Sequence, residues 1–138
     1  MRTVAVEQLS VESFLPFGFY GDLMNSKGEK LGTPPIEFFR DMVQQDLGRA
    51  TIVSFSGLRI EKREPVVDVT EYHSTTAEGI LPIDNDILIH VGPASPKGCD
   101  VPLDKFKAFY IPKGTMVVLR PGVWHHGPFT ANERPANI

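Results

Sequence analysis

The feature that most constrains the fold is a series of short apolar segments, rich in β-branched and aromatic residues, that begins at residue 51 and is broken by turn residues. Such segments are typical of strands, because β-branched and aromatic side chains pack well on a pleated surface. The segments are 51–60, 65–73, 78–83, 86–91, 106–111, 115–119 and 123–129. This many strands within about 80 residues predict an all-β sandwich or barrel.

The first fifty residues are less regular. Ser10 precedes a short apolar and acidic stretch that ends before Pro16, which predicts a helix of one or two turns with Ser10 as its N-cap. Residues 25–35 are polar and rich in glycine and proline, and we interpret them as a surface loop. Residues 36–47 fit either a helical stripe or a strand that leads into a turn, and we favour the strand.

Length and charge limit the classes of protein. With 138 residues, of which 41% are hydrophobic and 22% charged, the chain is expected to fold as a single domain over residues 1–138. The formal net charge is −3, and no basic run occurs along the chain. We therefore expect no nucleic-acid partner.

Cysteine content and the N-terminal residues predict a location. Cys99 is the single cysteine, so no internal disulfide forms, and the first twenty residues contain acids where a secretory signal needs a basic start and an apolar core. No apolar run approaches the roughly 18 residues that cross a bilayer. We expect a soluble, cytoplasmic protein without a membrane partner.

Two clusters contain the residues suited to chemistry. Glu71 and His73 lie two residues apart on a predicted strand and share a face, to which Glu78 on the next strand can return. Three potential metal ligands therefore converge. The second cluster follows the Pro121-Gly122 turn and contains adjacent histidines at 125 and 126, which face opposite ways on a strand, so that only one enters a common site.

These clusters resemble the motifs of the cupin superfamily. The spacing from His73 to Glu78 is similar to the first cupin motif, and the order of Gly114, the Pro-Gly turn and His125 is similar to the second. The resemblance implies a small antiparallel, jelly-roll-like cupin β-barrel with one short N-terminal helix, which holds a divalent metal ion inside.

A more detailed resemblance is to the ureidoglycolate lyase family of cupins. It rests on three blocks in order: residues 14–18 (FLPFG), the Glu71-x-His73 segment with Glu78 and Pro82, and residues 123–126 (VWHH). Members of that family split ureidoglycolate into glyoxylate and urea in allantoin catabolism. The resemblance implies a small-molecule substrate and a metal-assisted carbon–nitrogen lyase.

Roles for individual residues follow from this resemblance. The expected metal ligands are His73, Glu78 and His125, and mixed nitrogen and oxygen ligands suit Ni²⁺, Mn²⁺, Fe²⁺ or Zn²⁺. The expected catalytic and substrate-binding residues are Glu71 or His126 as the base, Tyr110 as the acid, and Tyr72, Arg120 and Trp124 as contacts to substrate. His90, on an apolar strand, is interpreted as a core or interface histidine outside the site.

Other functions remain open at the level of sequence. Tyr72 and Leu119 stand where the family often has arginine and tyrosine. These two differences are compatible with a related reaction on a different small molecule. The alternatives are a cupin sugar isomerase or epimerase, and a non-catalytic cupin that binds a small acid or sugar. Relatives continue into a further strand beyond the position of Ile138, so we expect one barrel edge to be completed by another subunit, as a homodimer, or left exposed.

Overall fold

The computed structural model describes residues 2–138, and nearly all of their regular structure consists of short strands. The elements, in chain order, are β1 (Val6–Gln8), α1 (Val11–Phe14), β2 (Gly18–Asp22), β3 (Lys30–Thr33), β4 (Ile36–Phe39), β5 (Arg59–Ile60), β6 (Glu78–Ile80), β7 (Ile87–Val91), a 3-10 turn (Leu103–Lys105), β8 (Lys107–Ile111), β9 (Thr115–Leu119), β10 (Phe129–Thr130) and β11 (Ala136–Asn137).

The strands form two principal sheets and two small pairs. The larger sheet has the order β1-β8-β7-β10, with β1 parallel to β8 and the other neighbours antiparallel. The second sheet has the antiparallel order β2-β9-β6. The small pairs are β3 with β4 and β5 with β11.

The hydrophobic core lies between the two principal sheets. Alternate residues of β7 and β8 point inward and meet the inward face of β9. The fully buried side chains of this core include Phe14, Ile87, Phe109, Ile111 and Val117. This two-layer arrangement confirms the all-β, cupin-like prediction, and the strand pairs among residues 2–138 form facing sheets without closing into a barrel.

The short helix α1 is also confirmed. The Ser10 side chain accepts a hydrogen bond of 3.1 Å from the backbone N–H of Ser13, as expected for an N-cap. The helix places Phe14 in the core, where its ring meets that of Phe109 edge to face at a centroid distance of 5.2 Å.

The predicted strands agree with the structure between residues 78 and 119 and differ on both sides of that stretch. Of the predicted strand 123–129, only Phe129 lies in a strand, and Trp124 and His125 form isolated bridges. Of 51–60, only β5 is paired, and of 65–73 only Glu71 forms an isolated bridge. The other residues of these two segments belong to no strand and are mostly exposed. Strand propensity reflects packing against a neighbouring strand, so β-branched sequence alone does not form a ladder where no neighbour is supplied. In the ambiguous stretch 36–47, the strand exists but ends at Phe39.

Within the part of the chain that the structure describes, no helix has the length and apolar character needed to cross a bilayer.

Candidate active site

The candidate site forms where β9 ends in a tight turn. The N–H of Val123 donates to the carbonyl of Arg120 at 3.2 Å, and Gly122 has φ of +83°, as the third position of a type II turn requires. The N–H of Gly122 donates to the carbonyl of His73 at 2.7 Å. The turn therefore joins the two sequence clusters directly.

A short antiparallel bridge extends this junction. The N–H of Glu71 donates to the carbonyl of His125 at 2.7 Å, and the N–H of His125 donates to the carbonyl of Glu71 at 2.8 Å. The hydroxyl of Thr70 adds a hydrogen bond of 3.2 Å to the same carbonyl of His125. The segment 71–73, irregular by itself, is thus fixed against residues 122–125.

Three side chains meet at this junction. One carboxylate oxygen of Glu78, Oε2, lies 2.6 Å from Nε2 of His73 and 3.0 Å from Nε2 of His125. Glu78 reaches them because it begins β6 directly opposite Leu119, the last residue of β9. We call His73, Glu78 and His125 the cluster. It reaches from the interior to the surface, since the side chain of His125 is 5% exposed and that of His73 is 47% exposed.

The hydrogen bonds of His125 fix its protonation. Its Nδ1 lies 2.8 Å from the carbonyl oxygen of Val123, which can only accept, so Nδ1 carries a hydrogen. In a neutral ring Nε2 would then present a lone pair to the carboxylate of Glu78. Two facing acceptors repel each other, so a proton or a cation must lie between Nε2 and Oε2.

The pKa values of this pair agree with a shared charge. The hydrogen bond from His125 is the main cause that lowers the pKa of Glu78, against the opposing effect of burial. Burial acts to lower the pKa of His125, but its hydrogen bonds to Glu78 and to the Val123 carbonyl outweigh burial, and the net pKa is raised. Both shifts favour the charged form of the group, so a hydrogen shared between Nε2 and Oε2 is favoured where no metal ion is bound.

The same cluster fits a divalent metal ion. His73, Glu78 and His125 each offer one ligand atom, and these atoms lie within 4.8 Å of one another. A backbone carbonyl that holds Nδ1–H and leaves Nε2 free is the usual orientation of a metal-binding histidine. The structure therefore brings the three predicted ligands together with a donor set of two nitrogens and one oxygen.

Two of the predicted substrate contacts lie on the other side of this junction. The rings of Tyr72 and Trp124 meet edge to face at 4.6 Å, and the indole N–H of Trp124 donates to Ser95 at 3.0 Å. Neither residue belongs to the group of possible metal ligands.

Arg120, the third predicted substrate contact, also faces away from the cluster. Its guanidinium lies 4.6 Å from the centre of the Phe19 ring, and Phe19 pairs with Val118 on the outer face of β9. Arg120 lines a surface cavity of about 310 Å³ together with Phe19, Val118 and Ala77. None of the three cluster residues lines that cavity.

Of the predicted catalytic residues, Glu71 is the one whose charge contributes to the raised pKa of His125. Its backbone is paired with that of His125, and the residue is exposed. His126 follows His125 directly and is partly buried. Tyr110 is remote, because it pairs with Leu88, four residues along β7 from the bridge at Gly92. Its hydroxyl donates to Asp86, the main cause of its raised pKa.

The sequence missed one functional group, the carbonyl of Val123. Every residue has a carbonyl, so no residue type marks the one that orients His125. The turn motif at Pro121-Gly122 was the only local signal. His90, left out of the site, is 6% exposed and stacks on Phe106 with ring centroids 5.9 Å apart, as a core histidine would.

Comparison of the sequence with known proteins identifies a family. The family model described as ureidoglycolate lyase matches residues 1–137. The chain belongs to the ureidoglycolate lyase family. Similar curated proteins are the ureidoglycolate lyases of Burkholderia mallei strains NCTC 10229 and NCTC 10247, each 30% identical over 138 residues, with 91% of this chain and 74% of the relative covered.

Membership of this cupin-like family makes the chain a lyase, and an enzyme of this family acts on a small molecule. The family match runs through both clusters, from before Glu71 to beyond His125. The site is therefore a candidate active site of a lyase.

Proposed function

We propose that this enzyme cleaves ureidoglycolate to glyoxylate and urea, and that a divalent metal ion held by His73, Glu78 and His125 assists the reaction. The observation that carries the proposal is the shared Oε2 of Glu78, which lies within hydrogen-bonding distance of both histidines while the Val123 carbonyl holds the far nitrogen of His125. A divalent ion bound there would polarise the α-hydroxyl and carboxylate oxygens of the substrate and lower the pKa of the hydroxyl.

The chain holds the two histidine ligands in fixed positions. The exposed His73 is the cluster member that incoming substrate meets first, whereas His125 is fixed in the interior by two hydrogen bonds. Because Gly122 ties the carbonyl of His73 to the turn, the outer ligand is held in place by backbone rather than by packing.

Glu71 is the proposed proton carrier. Cleavage needs one proton to leave the α-hydroxyl as its C=O bond forms, and one proton to reach the urea nitrogen as the C–N bond breaks. A single carboxylate on the side of His73 can take the first proton and deliver it to the nitrogen, so the step balances without a second acid. His126 and Tyr110 are not required in this scheme.

The test is the release of urea and glyoxylate from racemic ureidoglycolate in the presence of Ni²⁺ or Mn²⁺. Changing Glu71→Gln keeps the shape and removes the base, and we expect kcat to fall about 10²- to 10⁴-fold, the usual contribution of a general base. The exposed carboxylate of Glu12 provides the matched control, and Glu12→Gln should keep the wild-type rate.

His126→Gln, measured beside these variants, decides between the two bases that the sequence left open. A larger loss in His126→Gln than in Glu71→Gln would reverse the assignment. Wild-type release no faster than that of His125→Ala would contradict the lyase proposal and favour a sugar isomerase or epimerase.

Three coarser expectations complete the proposal. We propose a single domain over residues 1–138, a cytoplasmic location and a homodimeric enzyme. Support for the first comes from one shared core that contains residues from α1 to β11. Support for the dimer is the exposure of the apolar side chains of Ile52 and Phe55, at 84% and 93%.

A further inference from the structure

The surface cavity that Arg120 lines is large enough for a small metabolite. Its lining includes the apolar side chains of Phe19, Ala77 and Val118 and the charged side chains of Arg120 and Asp46. We call it the outer cavity. At about 30 Å³ for each water molecule, its volume of about 310 Å³ fits a ligand of about ten non-hydrogen atoms.

The outer cavity and the cluster lie on opposite faces of the second sheet. Val118 and Leu119 are consecutive residues of β9, so their side chains point to opposite faces. Phe19 is paired with Val118, whereas Glu78 of the cluster is paired with Leu119. A ligand in the outer cavity is therefore separated from the cluster by the sheet.

The guanidinium of Arg120 is positioned in this cavity without an acceptor. It lies 4.6 Å from the centre of the Phe19 ring, and among residues 2–138 it donates no hydrogen bond and forms no ion pair. Arg63 also lies over a phenylalanine ring, but it donates to the carbonyls of Gly127 and Pro128. Arginine commonly combines contact with an aromatic ring and a bidentate pair to a carboxylate. Arg120 therefore offers an unused site for a carboxylate.

A larger surface cavity, of about 610 Å³, does not offer the same chemistry. Its arginine, Arg40, already donates to one carboxylate oxygen of Glu29 at 2.8 and 3.1 Å. One carboxylate oxygen of Asp22 accepts from the backbone N–H groups of Met24 and Asn25. A charged ligand would have to displace these partners, so the outer cavity is the stronger candidate.

Asp46 determines what the other end of the ligand must carry. Its Oδ1 accepts from the N–H of Gly48 at 2.7 Å, and its Oδ2 accepts no hydrogen bond among residues 2–138. Its backbone carbonyl accepts from the N–H of Ala77 at 3.0 Å, which fixes the residue beside β6. A free carboxylate oxygen repels an anion and accepts from an N–H group. A ligand that satisfies both Arg120 and Asp46 therefore has an acid group and an N–H donor.

We propose that the outer cavity binds a small carboxylic acid with a neighbouring N–H donor, of the class of N-acylated amino acids, at a site separate from the cluster. Arg120 pairs with the carboxylate of the ligand, Asp46 accepts from its N–H, and its apolar part packs against Phe19 and Val118. This inference does not depend on the reaction proposed above.

The probe is N-acetylglycine, added to the full chain at neutral pH without metal ions and followed by amide NMR spectra. We expect saturable shifts at Phe19, Asp46 and Arg120, with a dissociation constant at or below about 1 mM, as for a weak metabolite site. Shifts confined to His73 and His125, or no saturable shift up to about 10 mM, would overturn the proposal.

Two analogues of the same size test the two ends of the ligand. N-acetylglycinamide replaces the carboxylate by a neutral amide and should bind at least about 10-fold more weakly, because a charge-assisted bidentate pair is lost. Acetoxyacetate replaces the N–H by an oxygen, which faces Asp46 with lone pairs, and should also bind more weakly. Equal binding of either analogue would contradict the residue assigned to that end.

The residue variants use the contrast between the two arginines that lie over phenylalanine rings. Arg120→Gln keeps a long polar side chain on the exposed face and should weaken N-acetylglycine binding at least about 10-fold. Arg63→Gln is the matched control, since Arg63 does not line the outer cavity, and its affinity should equal that of wild type. The amide spectra also show whether each variant is folded. A folded Arg120→Gln with wild-type affinity would overturn the proposal.

Discussion

The protonation of two histidines illustrates how different environments act on one residue type. His125 is buried but hydrogen-bonded at both ring nitrogens, and its pKa is raised. His90 is buried with neither ring nitrogen hydrogen-bonded within residues 2–138. Burial, together with the positive charges of His125, His126 and Arg63, lowers the pKa of His90 to about 4. The surroundings of His125 favour its charged form, whereas His90 is neutral at pH 7.

His90 should make the protein sensitive to acid. In the unfolded chain this histidine takes up a proton near the ordinary histidine pKa of 6.5, whereas the folded protein does so only near 4, so unfolding is favoured as the pH falls between these values. The shift corresponds to a loss of at most about 3 kcal/mol in the free energy of unfolding. In His90→Leu this loss should disappear.

Urea denaturation at pH 7.5, 6.0 and 5.0 measures the effect as the difference between wild type and His90→Leu. The difference should move in favour of the variant at each step toward acid. A difference that is independent of pH would show that His90 is protonated equally in the folded and unfolded chains.

At the scale of elements, the turn after β9 determines the geometry of the site. It connects a strand of the second sheet to the bridge with Glu71, and its Gly122 N–H holds the carbonyl of His73. Gly122 has φ of +83°, and a Cβ added there would lie 2.9 Å from the Cβ of Ala94. Any other residue at this position is strained both by its own backbone and by its neighbour.

Gly122→Ala should therefore destabilise the protein and disturb the site together. We expect the free energy of unfolding to fall by about 1–3 kcal/mol, and ligand binding at the cluster to weaken because His73 and His125 flank the turn. Gly127→Ala is the matched control, since a Cβ at Gly127 meets no atom within 4 Å.

Chemical denaturation measures the first effect, and a titration with Ni²⁺ followed by calorimetry measures the second. Equal stability of the two alanine variants would mean that the positive φ at Gly122 is not required.

A second close contact at a glycine occurs just after β7, where Gly92 packs against the ring of Phe106. A Cβ on Gly92 would lie 2.2 Å from the Phe106 ring, which also stacks on His90. The aromatic ring thus occupies the space that the absent side chain leaves. This packing explains how a histidine without hydrogen bonds is accommodated in a buried position.

At the scale of the whole molecule, metal binding should increase stability. A ligand that binds only the folded state stabilises it by about 2.7 kcal/mol at a free concentration one hundred times its dissociation constant. For a domain of this size the melting temperature should rise by roughly 8 °C. The rise should occur with Ni²⁺ or Mn²⁺ in wild type, reverse with a chelator, and be absent in His125→Ala.

Differential scanning calorimetry at fixed protein concentration measures this change, and metal analysis of the purified protein identifies the ion. A matched variant is His126→Gln, which changes a histidine outside the group of possible ligands and whose melting temperature should still rise. No rise with any of Ni²⁺, Mn²⁺, Fe²⁺ or Zn²⁺ in wild type would leave the imidazolium–carboxylate pair as the working form of the site.

Local sequence determined the features that depend on one residue and its immediate neighbours. Ser10 capped the predicted helix, and Pro121-Gly122 made the predicted turn. The strands from β6 to β9 follow from their apolar pattern, because both sheets supply neighbours to them. These are the parts of the fold and site that the sequence could predict.

Only the tertiary structure decided which residues from distant parts of the chain come into contact. It placed Tyr110 against Asp86, turned Arg120 toward Phe19, and chose the Val123 carbonyl to orient His125. Among residues 2–138, it also left 51–57 without a hydrogen bond to other backbone, despite a strand-like sequence. The physical reason is that periodicity and turn chemistry fix directions along one segment, whereas hydrogen-bond partners and distances depend on how remote segments pack together.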